Sequence, residues 1–221
     1  QYFVYMIVTV INACRELKQL YPDHHFVPVY WMASEDHDYA EIKYFRLYEK
    51  KYVWNTDQRG AVGRFSTSDI EALLGEVPGD ITIFKEAYSR NKTLAGATRH
   101  YVNALFGNEG LVVVDADDSA LKAQFAPVMA DDIVQNTTHK LVAKTNEELS
   151  QLGYKAQVYC RDINFFYLDD GIRERIEKVG NSYRVIGTDL SFDEQGIRDL
   201  IQKSPARLSP NVILRPVYQE W

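Results

Sequence analysis

Residues 26–38 read FVPVYWMASEDHD, a near-continuous apolar run that breaks off into acids and one histidine. The run is rich in β-branched and aromatic residues, and its continuity suits a strand covered on both faces in a parallel sheet. Pro28 cannot donate to a ladder, so it belongs near the start of that strand. Residues 110–118, GLVVVDADD, repeat the pattern of a β-branched run closed by acids. Helical patterns lie between the two, and strand, helices, strand is the signature of an α/β layer.

Outward from these strands, Tyr5, Val8, Ile11, Ala13, Leu17 and Leu20 recur at helical spacing, and Pro22-Asp23 closes that helix. Residues 39–44 form a short helix, while 45–54 alternate polar and apolar like an exposed strand. Ser68 with Glu71 is a capping box opening a helix that Gly75 ends. Residues 81–106 read as one helix closed by Gly107, and 119–152 as another closed by Gly153. Gly180-Asn181 is a two-residue hairpin signal between antiparallel strands. Ser191 with Glu194 opens a further helix that Pro205 stops. The expected domains are 1–118, the first part of a sheet core with a small insertion; 119–206, a connecting α+β insertion; and 207–221, an apolar run returning to the core.

Composition narrows the function. An apolar share of 46%, with 15 Tyr, 10 Phe and 3 Trp in 221 residues, belongs to a chain that folds. A net charge of −6 offers no basic field for nucleic acid or an anionic bilayer, leaving small molecules as the expected ligands. The stretch from Tyr2 to Ala13 falls short of the roughly 20 apolar residues of a membrane span. Cys14 and Cys160 share no metal or redox spacing, which points to a reducing, cytoplasmic setting. Opening on Gln1 without a basic leader, the chain reads as a fragment of a longer protein.

Both strands deliver acids at their carboxyl ends: Glu35, Asp36, His37 and Asp38 after one, Asp115 after the other. In open parallel sheets ligands bind outside those ends, so both clusters are expected to face one cleft. If Asp36 caps the following helix, His37 and Glu41 lie four residues apart on one face, and the carboxylate orients an imidazole acting as general base. The plain alternative is that Asp36 and Asp38 only cap a helix. A metal is a third reading, but four consecutive residues rarely converge on one ion, and neither H-E-x-x-H nor an EF-hand loop occurs. Arg215, rigidified by Pro216, could hold a carboxylate or phosphate in a bidentate grip, or pair with one of the acids. Ser209 and Asn211 lie beside it. No glycine-rich phosphate loop is present, so a nucleotide, ATP or another, would need a cradle elsewhere.

FVPVYWMASEDHDYAEI (26–42), LFGNEGLVVVDADD (105–118), FFYLDDGIRERIE (165–177) and RLSPNVILRPVYQE (207–220) resemble the bacillithiol biosynthesis cysteine-adding enzymes across essentially the whole chain. The S-E-D-H-D and S-P-N-V-x-L-R-P strings are the specific ones. The resemblance implies a Rossmann-like core with connecting insertions, and a dimerising coiled coil that this chain lacks. It implies a ligase adding cysteine to glucosaminyl-malate through an amide bond, with cysteine and glucosaminyl-malate as small-molecule partners and a homodimer for the full-length protein. On this reading His37 is the base, Asp36, Asp38 and Glu35 support it, and Arg215, with Asn211, Ser209, Asp115 and Glu41, binds substrate. A nucleotide-binding module without ligase activity, and a metal-dependent hydrolase using the SEDHD acids, are the alternatives.

Overall fold

A computed structural model describes residues 2–221, which divide into two compact units, 2–116 and 117–221. The first unit begins with α1 (Tyr2–Leu20), whose Ile7 and Ile11 are buried together with Val102 and Leu111. Strand β1 (Val29–Met32) starts directly after Pro28, as its missing donor requires. Next come the short helix α2 (Tyr39–Ile42) and a hairpin of β2 (Tyr44–Leu47) and β3 (Lys50–Val53) in place of the single expected strand. The turn between them places Tyr48 and Glu49 at positive φ, which a two-residue hairpin loop of this hand demands. Helices α3 (Glu71–Glu76), α4 (Thr82–Arg90) and α5 (Leu94–Phe106) lead to β4 (Val112–Asp115).

Strands β1 and β4 pair in parallel, Met32 opposite Asp115, so the expected α/β layer is present. The burial on both faces is not complete: Val29 is 48% and Val112 45% exposed, because the parallel sheet has two strands among the described residues. The helix expected over 81–106 is broken. Asn91 is extended and its amide donates to the Ala87 carbonyl at 2.7 Å, while Thr93 caps α5 by accepting from Gly96 N–H. Short polar side chains compete with the backbone there and divide the helix. The capping box at Ser68 does not form; Ile70 occupies the cap position, and Gly75 lies inside α3.

In the second unit α6 (Ser119–Gln135) and α7 (Thr137–Gln151) replace the one helix expected over 119–152. Asn136 separates them in the left-handed conformation, φ 58°, which asparagine tolerates better than most residues. Five antiparallel strands follow in the order β8-β7-β6-β5-β9: β5 (Phe165–Asp169), β6 (Ile172–Val179), β7 (Ser182–Val185), β8 (Ser191–Phe192) and β9 (Leu208–Pro210). Gly180 turns β6 into β7 at positive φ, as its dipeptide predicts. Helix α8 (Glu194–Lys203) is capped by Asp193, not Ser191, which is held in β8. The tail expected to return to the core instead pairs with β5 through β9 and ends in α9 (Arg215–Glu220). Phe125 of α6 stacks 4.7 Å from Tyr218 and 6.2 Å from Phe165, centring this unit's core.

No helix among the described residues is long and apolar enough to cross a membrane.

Candidate functional site

The carboxyl ends of β1 and β4 are tied to each other. The Ser34 hydroxyl donates to the Asp115 carboxylate, and the Arg99 guanidinium lies 3.6 Å from the other Asp115 oxygen. Asp115 is therefore engaged from two sides. The 3-10 turn Val62–Arg64 rests on the same segment: Gly63 N–H donates to the Ser34 carbonyl and Val62 N–H to the Asp36 carbonyl, both at 2.7 Å. A Cβ on Gly63 would lie 2.4 Å from that of Ser34, so only glycine permits this approach.

Beyond this clamp the chain turns. His37 N–H donates to Asp36 Oδ1 at 2.7 Å, and the ring's Nδ1 lies 3.4 Å from the same oxygen. The imidazole is 47% exposed and Asp36 less so, leaving the ring backed by a carboxylate and open to a ligand. Helix α2 starts at Tyr39 with Asp38 in the cap position, and no side chain caps it. The expected pairing of His37 with Glu41 on one helical face therefore fails, because His37 precedes the helix. Its carboxylate neighbour is Asp36. Asp36, His37 and Asp38 nevertheless bring one oxygen or nitrogen each within 4.8 Å of one another. Glu35, in contrast, is fully buried.

A cavity of about 760 Å³ opens beside this segment within the first unit, a size that suits a small molecule. Ser34 and Glu41 line it together with Thr98, but most of its wall is apolar or aromatic. Three of its residues, Tyr30, Tyr88 and Tyr101, carry phenols that burial makes harder to ionise; Tyr30 is pushed up to about 12, with Tyr101 adding to the shift.

Ser209, Asn211 and Arg215 belong to the second unit. Ser209 is fully enclosed, 3.4 Å from an Arg173 nitrogen that donates to its hydroxyl. Asn211 caps the turn into α9: its side-chain oxygen accepts from Ile213 and Leu214 N–H, its carbonyl accepts from Arg215 N–H at 3.0 Å, and its amide donates to Asn164 at 2.9 Å. Arg215 is thus the first residue of a helix whose entry is fixed by Asn211. Asp118, grouped by sequence with the strand-end acids, accepts from Ala120 and Leu121 N–H as the cap of α6, and Asp117 pairs with the buried Lys122 at 2.7 Å. Sequence reading missed Arg99, Gly63 and the tyrosines, since nothing in their spacing announces a partner so distant along the chain.

A parallel strand pair with helices in its crossover, bearing acids and a histidine beyond its carboxyl edge, is a βαβ unit of an α/β domain. Over residues 1–221 the chain matches the family described as bacillithiol biosynthesis BshC, N-terminal Rossmann-like domain. The chain belongs to that family. It is 43% identical over 218 residues to a protein of Cytophaga hutchinsonii and 44% identical over 229 residues to one of Flavobacterium johnsoniae, both named "Putative cysteine ligase BshC". A Staphylococcus haemolyticus protein of the same name is 25% identical over 246 residues. The first two alignments take in 99% of this chain but 42% and 43% of those proteins, so the chain spans less than half their length.

Proposed function

We propose that this chain is the Rossmann-like part of a cysteine ligase that joins cysteine to glucosaminyl-malate in the last step of bacillithiol biosynthesis. The observation that carries this reading is His37, half exposed at the carboxyl edge of a parallel strand and backed by Asp36 at 3.4 Å. In the reaction the sugar amine attacks the activated carboxyl carbon of cysteine. A carbon–nitrogen bond forms, the activating group departs with its electron pair, and the amine proton passes to the His37 imidazole. Asp36 orients the ring, and Asp38 and Glu41 attract the ammonium forms of the substrates. Glu35 and Asp115 support the segment from within, and Arg215, whose backbone Asn211 holds at the start of α9, takes a malyl carboxylate. The reading places the work in the cytoplasm and, for the full-length protein, in a homodimer built on a coiled coil.

The second reading, a metal-dependent hydrolase, draws on the approach of Asp36, His37 and Asp38 to within 4.8 Å of one another. Calorimetry on the full-length protein separates the two, and a nucleotide-binding module with them. Binding of glucosaminyl-malate or cysteine that weakens in His37→Ala supports the ligase. Stoichiometric binding of Mn²⁺ or Zn²⁺ that Asp36→Asn abolishes supports the hydrolase, and ATP binding with neither substrate bound supports the nucleotide module.

A further inference from the structure

Asp132, in α6, is a fully buried carboxylate that sequence reading left unassigned. Each of its oxygens accepts from Asn164, one from the N–H at 2.7 Å and the other from the side-chain amide at 3.1 Å. Thr138 adds a third hydrogen bond to it. Asn164 in turn holds Asn211 at two points. Its side-chain oxygen accepts from the Asn211 amide, and its carbonyl accepts from Asn211 N–H, both at 2.9 Å. Asn211 then caps the turn whose next residue in the hydrogen-bond series is Arg215. The series runs from a buried carboxylate to the backbone N–H of Arg215 without a gap, and the Asn164 amide also donates to the Arg161 carbonyl at 2.9 Å. A buried carboxylate is costly unless it is hydrogen-bonded, as this one is.

We infer that Asp132 and Asn164 are positioning residues for Arg215, holding its backbone through Asn211 so that the guanidinium meets a substrate carboxylate in one fixed direction. The inference rests on the reading of Arg215 as the carboxylate-binding group. It adds to that reading two residues 83 and 51 positions upstream of Arg215 in the sequence. Burial also makes Asp132 harder to ionise, an effect that its bonds from Asn164 and Thr138 oppose.

The test is steady-state kinetics of the full-length protein with Asp132→Asn, Asn164→Asp, the double exchange, and Arg215→Ala alongside. Asp132→Asn turns an acceptor into a donor facing a donor, and Asn164→Asp sets two carboxylates against each other. Each single exchange raises KM for the dicarboxylate amino-sugar substrate by about tenfold, while KM for cysteine and kcat stay within about twofold. The double exchange restores a donor facing an acceptor and recovers most of the loss. A merely structural role would lower apparent kcat with the folded fraction and leave both KM values unchanged, and that outcome overturns the inference, as does an unchanged KM in a folded Asp132→Asn. Where Asp132→Asn fails to fold, Asn211→Asp decides: it keeps the capping oxygen but loses the donor to Asn164, and only a selective KM rise supports the relay. If Arg215→Ala itself leaves KM unchanged, the carboxylate reading of Arg215 falls; if it raises KM and Asp132→Asn does not, the relay alone falls.

Discussion

Gly63 and Ser34 meet so closely that one methyl group decides the geometry of the candidate segment. Gly63→Ala forces a Cβ to 2.4 Å from that of Ser34, and the strand end or the 3-10 turn has to move. Overpacking of this kind costs about 1–3 kcal/mol, so the thermal midpoint falls by several degrees; an unchanged midpoint contradicts the clamp. At this scale the sequence singled out the cluster but gave its histidine the wrong partner. SEDHD announces itself because five polar residues interrupt an apolar run. That His37 leans on Asp36 and not on Glu41 depends on where α2 begins, two residues after His37, and no pattern of side chains states a helix boundary to within two residues. The contacts of Asp115 with Ser34 and Arg99 were equally unreadable, since they join residues 81 and 16 positions apart.

Elements were legible where an apolar run or a turn dipeptide marked them. Strands β1 and β4 and the β6–β7 hairpin fall where the sequence places them, because β-branched runs and Gly180-Asn181 leave few alternatives. Helices were over-extended for one reason: Asn91, Thr93 and Asn136 sit in otherwise continuous helical patterns, and a single capping residue outweighs a favourable period. Asp118 shows the same force at work, because an acid that looks like part of a ligand site is the cap of α6. Asp118→Ala costs about 1 kcal/mol and Asp118→Asn only a few tenths, since asparagine caps nearly as well. Urea midpoints of the two variants check this, and equal losses would deny the cap its role. The tail 208–221 was misread because an apolar run does not say which sheet it joins: Leu208 pairs antiparallel with Tyr167 in the second unit.

For the whole molecule, the chain folds as two units and spans 42–43% of the length of relatives that match it along 99% of its own. Its stability carries an alkaline signature. Tyr30, raised by burial to about 12 from an unfolded value near 10, favours folding fully below about pH 10, and that contribution is lost as the pH climbs through its folded pKa. Urea midpoints measured stepwise between about pH 9 and pH 12 therefore drop more gently in Tyr30→Phe than in the parent, whereas parallel curves refute burial of the phenol. Family membership and the parallel core were recoverable from strings such as SEDHD and SPNVILRP. The proposed chemistry stands on one group, the half-exposed imidazole of His37 in the segment that follows β1. The most direct measurement is cysteine-adding turnover of the full-length protein with His37 replaced by alanine, its melting temperature confirmed to match the parent. Loss of a general base lowers turnover by about 10²-fold or more, and turnover equal to the parent's would remove His37 from the reaction.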